Sequence, residues 1–196
     1  MPNSSGDRNA QLARAVDVWK YVVSVQMHFN DMGMKIRTLY FTIIAAAMGL
    51  VGVVQGKQIV IEYPQIRIHL ALVVILAVVP ISMLFYFLDR HWYHRLLQGA
   101  VAQCIEIENR YLTELPEIQL GQKISKASPV RFDGVWKYVF YFIKDPRFTN
   151  GSMLHSDQKI EVLYKTVIWV ALIGSFVYAV ISGIEFKQRA LLSLIF

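Results

Sequence analysis

Charged residues are absent from three long stretches of the chain. Thr38–Gln55, Ile68–Leu88 and Thr166–Ile184 contain no Asp, Glu, Lys or Arg over 18, 21 and 19 residues. Roughly 20 helical residues cross the hydrocarbon core of a bilayer, and a backbone in lipid must satisfy its own N–H and C=O groups within the segment. Three transmembrane α-helices are therefore predicted, with a buried core helix as the alternative for Thr38–Gln55, the shortest run. Ahead of it, Leu12, Val16, Trp19, Val23 and Met27 recur at steps of three and four, which is one face of a helix. This amphipathic helix follows a disordered tail at residues 1–7 and leads to the membrane. The sequence HFND at 28–31, with Gly33 beyond it, reads as a bend rather than a ligand site at His28 and Asp31. Asn30 or Asp31 can cap a new helix there, and glycine weakens the old one.

Past the second stretch, LDRHWYHRLLQGAVAQCIEIENRYLTEL continues as a helix. Tyr93, Leu97, Val101, Cys104, Ile107 and Tyr111 line one side of it, and Glu106 stands four residues before Arg110, the spacing of an ion pair. The spans alone do not account for that stripe, so it needs a partner surface, for which the N-terminal amphipathic helix is the candidate. Pro116, Gly121, Pro129 and Gly134 mark residues 116–135 as loop. VWKYVFYFIK at 135–144 reads equally as an interfacial aromatic segment or as a strand or core helix of a small cytoplasmic domain. DPRFTNGS is a turn, and Ser156 with Asp157 caps the helix that enters the third stretch. Between Gly56 and Arg67 only a short loop is expected, turning at Tyr63-Pro64, and Pro80 should kink the second span.

The fold class is thus an all-α integral membrane protein: three transmembrane helices with a mainly helical cytoplasmic region. The expected divisions are 1–37 (tail and amphipathic helix), 38–88 (two spans and a short external loop), 89–165 (cytoplasmic helical region) and 166–196 (third span and external tail). Composition agrees, with 55% apolar and only 17% charged residues in 196, against about a quarter charged in soluble domains. Residues 1–37 lack the early apolar core of a signal peptide, so none is expected. The net charge of +6 reads as topology. Sixteen Lys and Arg lie in 1–37 and 89–165, against four in the other segments (Lys57, Arg67, Lys187 and Arg189). The positive-inside rule then puts the N-terminus in the cytoplasm and the C-terminus outside. Lys35, Arg37, Arg90, Trp92 and Arg95 fall where basic and aromatic side chains anchor at headgroups. Nothing in the basic surplus requires nucleic acid.

Small residues suggest how the spans pack. Gly52 and Gly56 form a GxxxG pair, extended by Gly49 and Ala45, and Ser175, Ala179 and Gly183 repeat the spacing in the third span. Such faces let helix backbones approach closely in lipid, within a chain or between copies.

Catalytic signatures are missing. The single cysteine, Cys104, excludes an internal disulfide and a cysteine metal cluster, and packing suits it better than nucleophilic chemistry. The chain has no Walker loop, GxGxxG or GxSxG motif. His91 and His94 lie three apart, but zinc takes three or four protein ligands, and an interfacial anchor explains them more simply. The spans hold no charged residue of the sort that ion-coupled transporters use at the midplane, and three spans without an inverted repeat do not make a secondary transporter. No enzyme and no cofactor are expected.

The arrangement VWKYVVSVQMHFNDMGMKIRTLYFTIIAAAMG, a second span, then LDRHWYHRLLQGAV resembles small membrane proteins encoded with bacterial anti-phage systems. These include SLATT-type two-span effectors and retron-associated membrane effectors. The resemblance covers roughly residues 15–112, and Thr166–Ile184 adds a third span to the two-span pattern. It implies a homo-oligomeric effector of the bacterial inner membrane, held quiet through a cytoplasmic module by a ligand or a soluble partner encoded nearby. Release would let the spans assemble and permeabilise or depolarise the membrane. Assembly rather than catalysis being the implied mode of action, no catalytic residues carry over. The alternative is a membrane-anchored sensor or scaffold that recruits a soluble partner, or a regulatory subunit of a larger membrane complex.

Overall fold

The structure, a computed structural model, describes residues 4–63, 66–131, 153–154 and 156–192. The aromatic stretch 135–144 and the turn at 145–152 lie outside the described residues. The elements, in chain order, are α1 (Ser4–Gly56), β1 (Val60–Tyr63), β2 (Ile66–His69) and α2 (Leu70–Tyr86), then a π-helical segment (Phe87–Tyr93), α3 (His94–Arg110), α4 (Leu120–Ala127), β3 (Val130–Arg131), β4 (Met153–Leu154) and α5 (Ser156–Leu192). Among the described residues three helices are long and apolar enough to cross a membrane, within Gly6–Gly56, Leu70–Arg110 and Ser156–Ser182. The chain divides into two compact units: unit 1 is Met1–Ile36 with Phe87–Glu161, and unit 2 is Arg37–Tyr86 with Val162–Phe196.

Unit 2 is built around aromatic contacts. Tyr40, on α1, is fully buried, with ring centroids 5.4 Å from Phe85 of α2 and 4.8 Å from Tyr164 of α5. Near the far end of the same helix, the Tyr178 hydroxyl donates to Gln55 Oε1, and the Tyr178 ring meets His69 edge-on at 5.8 Å. The two sets of contacts fix direction. Moving from Tyr40 to Gln55 on α1 corresponds to moving from Tyr164 to Tyr178 on α5, so these helices run parallel, about 22 Å between clamps at 1.5 Å per residue. Helix α2 runs against both, from His69 at one clamp to Ser82 and Phe85 at the other.

The link between α1 and α2 is a hairpin rather than the expected plain loop. The amides of Gln58 and Ile59 bond back to Gln55 O and Val54 O at 3.1 and 3.2 Å, and Gln58 takes φ 51°, the left-handed helix stop more often made by glycine. Val60–Tyr63 then pairs antiparallel with Ile66–His69, Val60 opposite His69 and Tyr63 opposite Ile66. Their β-branched residues suit a strand. Helix α2 contains Pro80 and remains helical through Tyr86, where the π-helical segment takes over.

Unit 1 gathers the N-terminal part of α1, the π segment, α3, α4 and the start of α5. Its core includes Ala15, Cys104, Ile107 and Ile160. Helix α1 does not break at His28–Gly33; it is continuous from Ser4, inside the segment expected to be a tail. One glycine in a helix costs about 1 kcal/mol, too little to end a helix whose face is packed, and Gly33 is buried. The covered face overlaps the expected one, Leu12, Val16, Trp19 and Val23 all being half-buried. Leu12, Ala15, Trp19, Val22, Gln26, Phe29 and Gly33 are buried or half-buried, while Met27 is exposed. These positions alternate steps of three and four, the spacing of a helix-packing seam. Helix α4 occupies part of the expected loop 116–135. Strands β3 and β4 pair antiparallel, Val130 opposite Leu154.

Candidate functional site

Six positions on one side of the third helical region were expected to seek a partner, and all are at least half-buried in unit 1. Cys104 and Ile107 are buried; Tyr93, Leu97, Val101 and Tyr111 are half-buried. Glu106 and Arg110 pair at 3.0 Å on the exposed side. The focus of the stripe is a residue the sequence did not single out. Glu108, four residues past Cys104, is fully buried.

Donors from three elements converge on that carboxylate. Trp19 Nε1 of α1 donates to Oε1 at 3.1 Å, the Cys104 thiol at 3.4 Å and the Gly121 amide at 2.7 Å, while the Gln122 amide donates to Oε2 at 3.0 Å. The two amides belong to the first turn of α4, whose preceding residue, Gln119, makes no side-chain cap. Glu108 therefore caps a helix 13 residues away in sequence, supplying acceptors for amides that have none within their own helix and placing negative charge at the positive end of the helix dipole. Gly121 eases this approach, since a side chain there would oblige its neighbours to give by a few tenths of an ångström. A Cβ there would stand 3.2 Å from Cys104 Sγ, 3.3 Å from Glu108 Oε1 and 3.3 Å from Ile105 Cγ1.

Burial alone would push the Glu108 pKa up. The amides of Gly121 and Gln122, with Trp19 and Cys104, outweigh it and hold the carboxyl below its ordinary value. The neighbouring thiol moves the other way: burial first, then the hydrogen bond and charge of Glu108, push Cys104 up to about 11. Closed from solvent and saturated with donors, Glu108 serves as a tie between elements; a nucleophile or proton shuttle would need access. A signal for it existed in the sequence. Glu108 shares the helical face of Cys104 and Tyr111, where a charged residue has to find donors.

The basic anchors differ from one another. Lys35 is exposed and pairs with Asp31 at 2.8 Å; Arg37 is half-buried. Trp92 and Arg95 are exposed. Arg90, by contrast, is largely buried, its guanidinium bonded to Glu161 and 3.6 Å from Asp157, so its charge is met by the first turns of α5. His91 is exposed and stacks on Phe87 at 5.9 Å, whereas His94 is buried with Gln98 at 3.3 Å. Among the described residues no group of three His, Cys, Asp or Glu is placed to hold a metal ion.

In unit 2 the small-residue positions of α1 are open. Ala45, Gly49, Gly52 and Gly56 are exposed, and a Cβ built on any of the three glycines would meet nothing within 4 Å among the described residues. On α5, Ala179 is exposed and Ser175 is buried, its Oγ without a hydrogen-bond partner among the described residues; the surroundings of Gly183 lie outside the description. Among the described residues no helix lies against the glycine face.

Compared with known proteins, the chain matches no family model, no curated protein and no solved structure.

Proposed function

We propose that this is a multi-pass protein of the bacterial inner membrane, N-terminus in the cytoplasm, whose three apolar helices cross the bilayer and assemble with further copies. On this reading it is an effector of an anti-phage system, and the assembly permeabilises or depolarises the membrane. The observation that carries the assembly is the open face of Gly49, Gly52 and Gly56. Lipid tails are as apolar as leucine, so helices in a membrane associate through close packing, which glycine allows. Within one chain only 11%, 17% and 11% of the three apolar windows are covered, leaving lipid or other copies to cover the rest. Polar groups in the spans are few, and several are turned inward: Ser82 bonds Tyr40, and Gln55 bonds Tyr178. A water path would then need several copies, or loosened lipid between them. The anti-phage role rests on the resemblance of residues 15–112.

The test is membrane potential in bacteria expressing wild type or the Gly52→Ile/Gly56→Ile double variant at matched membrane levels, with and without phage. Wild type should depolarise the cells and the double variant should not. A second reading, a membrane-anchored scaffold for a soluble partner, is favoured by Val18, Tyr21 and Met27, which are exposed on α1 in unit 1. Harmless expression of wild type under every condition, with a soluble protein retained on it, would replace the effector by the scaffold.

A further inference from the structure

Glu108 is held in common by α1, α3 and α4 of unit 1, and the tie has properties that apolar packing lacks. Apolar surfaces tolerate small slips. A buried ionised carboxylate does not, because each lost donor leaves charge unsolvated in a low-dielectric interior. If Trp19 withdraws, water has to replace it; if α4 withdraws, two of the four donors go together. The arms of the tie are therefore coupled.

The helix held by this tie is not apolar on one side alone. While Leu12, Ala15, Trp19 and Val22 face inward, Val18 and Tyr21 remain 52% and 70% exposed. Further down α1, Gln26 is buried with Nε2 unpartnered among the described residues. The closed arrangement leaves apolar surface uncovered and a buried donor unused, so its hold on α1 depends heavily on the few polar contacts it does make.

We propose that Glu108 is a latch, its carboxylate keeping the N-terminal half of α1 and the short helix α4 closed on α3 and giving unit 1 a second, open state in which Trp19 has left the carboxylate. In the open state the inner face of α1 is uncovered and Cys104 is reached by solvent, while α3 stays helical. The latch stands apart from the assembly reading and does not require it.

The chain carries its own reporter. Cys104 is its single cysteine, fully buried, with Sγ 3.4 Å from Glu108 Oε1. The experiment uses the full chain in mild detergent, measuring the rate of maleimide labelling at Cys104 and amide hydrogen exchange along α1, α3 and α4. Two variants are compared with wild type. Glu108→Gln keeps the side-chain shape but turns an NH₂ group toward a donor. Trp19→Phe removes one donor and leaves the charge beside the thiol in place, so a faster reaction cannot come from a change in thiol acidity alone. Labelling should quicken about tenfold or more in Trp19→Phe, the scale of one lost hydrogen bond to a charged group. It should quicken further in Glu108→Gln, with exchange accelerated at residues 8–30 and 120–127 but not at 94–103, and helical content unchanged. Labelling of Trp19→Phe at the wild-type rate would overturn the latch, as would exchange rising equally through α3. If Glu108→Gln does not fold, Trp19→Phe decides alone.

Discussion

The hydroxyl of Tyr40 and Oγ of Ser82 lie 2.8 Å apart, both side chains fully buried, and Ser82 Oγ also lies 2.7 Å from Val78 O. Ser82 has one proton and directs it to Val78 O, so Tyr40 is the donor to Ser82. The ring that carries this hydroxyl also touches Phe85 and Tyr164. Two contributions can then be separated. Tyr40→Phe keeps the ring and loses one hydrogen bond, which between membrane helices is worth about 0.6 kcal/mol. Tyr40→Ala empties a contact shared by α1, α2 and α5 and should cost about 3–5 kcal/mol. Unfolding by sodium dodecyl sulfate from mild detergent, followed by circular dichroism, measures both.

The second clamp, Tyr178 with Gln55, joins α5 to the end of α1. A double-mutant cycle with Tyr178→Phe and Gln55→Leu should return a coupling of roughly 0.6 kcal/mol and no more than about 1.7. Additive losses would mean that the hydrogen bond contributes nothing beyond the separate packing of the two side chains.

How far these relationships could be read from the sequence depends on how local they are. The apolar windows, the helical stripe from Tyr93 to Tyr111 and the Glu106–Arg110 pair depend on neighbours within a few residues, and they were legible. The face of α1 was legible in part: Leu12, Val16, Trp19 and Val23 are half-buried, whereas Met27 is exposed and its neighbour Gln26, a polar residue that gives no apolar signal, is buried. The hairpin was passed over because the strand from Ile66 to His69 runs directly into the apolar α2, so its β-branched residues read as the entry to a span. Glu108 was missed for another reason. Its donors lie 89 and 13 residues away, at Trp19 and Gly121, and no local pattern announces them. Gly121, taken as a loop residue, is where α4 passes close to Cys104.

Acid should weaken unit 1 through Glu108. Its pKa in the folded chain lies below the ordinary 4.5, held there against burial by the amides of Gly121 and Gln122, Trp19 and Cys104. The contribution of the carboxylate to stability is therefore complete above about pH 4.5 and fades as pH falls through the depressed folded value. The charged or titratable neighbour in contact is Cys104, which stays a thiol throughout this range because it is pushed up to about 11. Unfolding midpoints measured from pH 7 to pH 3 should fall more steeply for wild type than for Glu108→Gln. Parallel curves would show that other carboxylates dominate.

Topology gives an independent expectation. Helices α1 and α5 run parallel in unit 2, so their starts lie at one end of it and their finishes at the other. Sixteen of the 20 basic residues flank the end that holds Tyr40 and Tyr164, so the positive-inside rule leads us to expect that end in the cytoplasm. A periplasm-dependent reporter should be active when fused after Phe196 and silent when fused before Met1 or inserted at Gly121. Silence at all three positions would mean that one helix does not cross, and Thr38–Gln55 is the first to suspect.

The glycine face is the most direct place to separate folding from assembly. Nothing among the described residues lies within 4 Å of a Cβ at Gly52 or Gly56, so replacing both with isoleucine should leave the single chain intact. Its helix should even gain a few tenths of a kcal/mol at Gly52, since isoleucine is a better helix former than glycine. If copies meet through that face, the same change inserts two branched side chains where backbones have to approach closely. Chemical cross-linking in native membranes, and molecular mass in mild detergent, should then show wild type as an oligomer and the double variant shifted toward monomer, with equal unfolding midpoints. An oligomer of unchanged size in the double variant would show that this face meets lipid, and the contact between copies would have to be sought on the exposed side of α5, at Phe176 and Ile173.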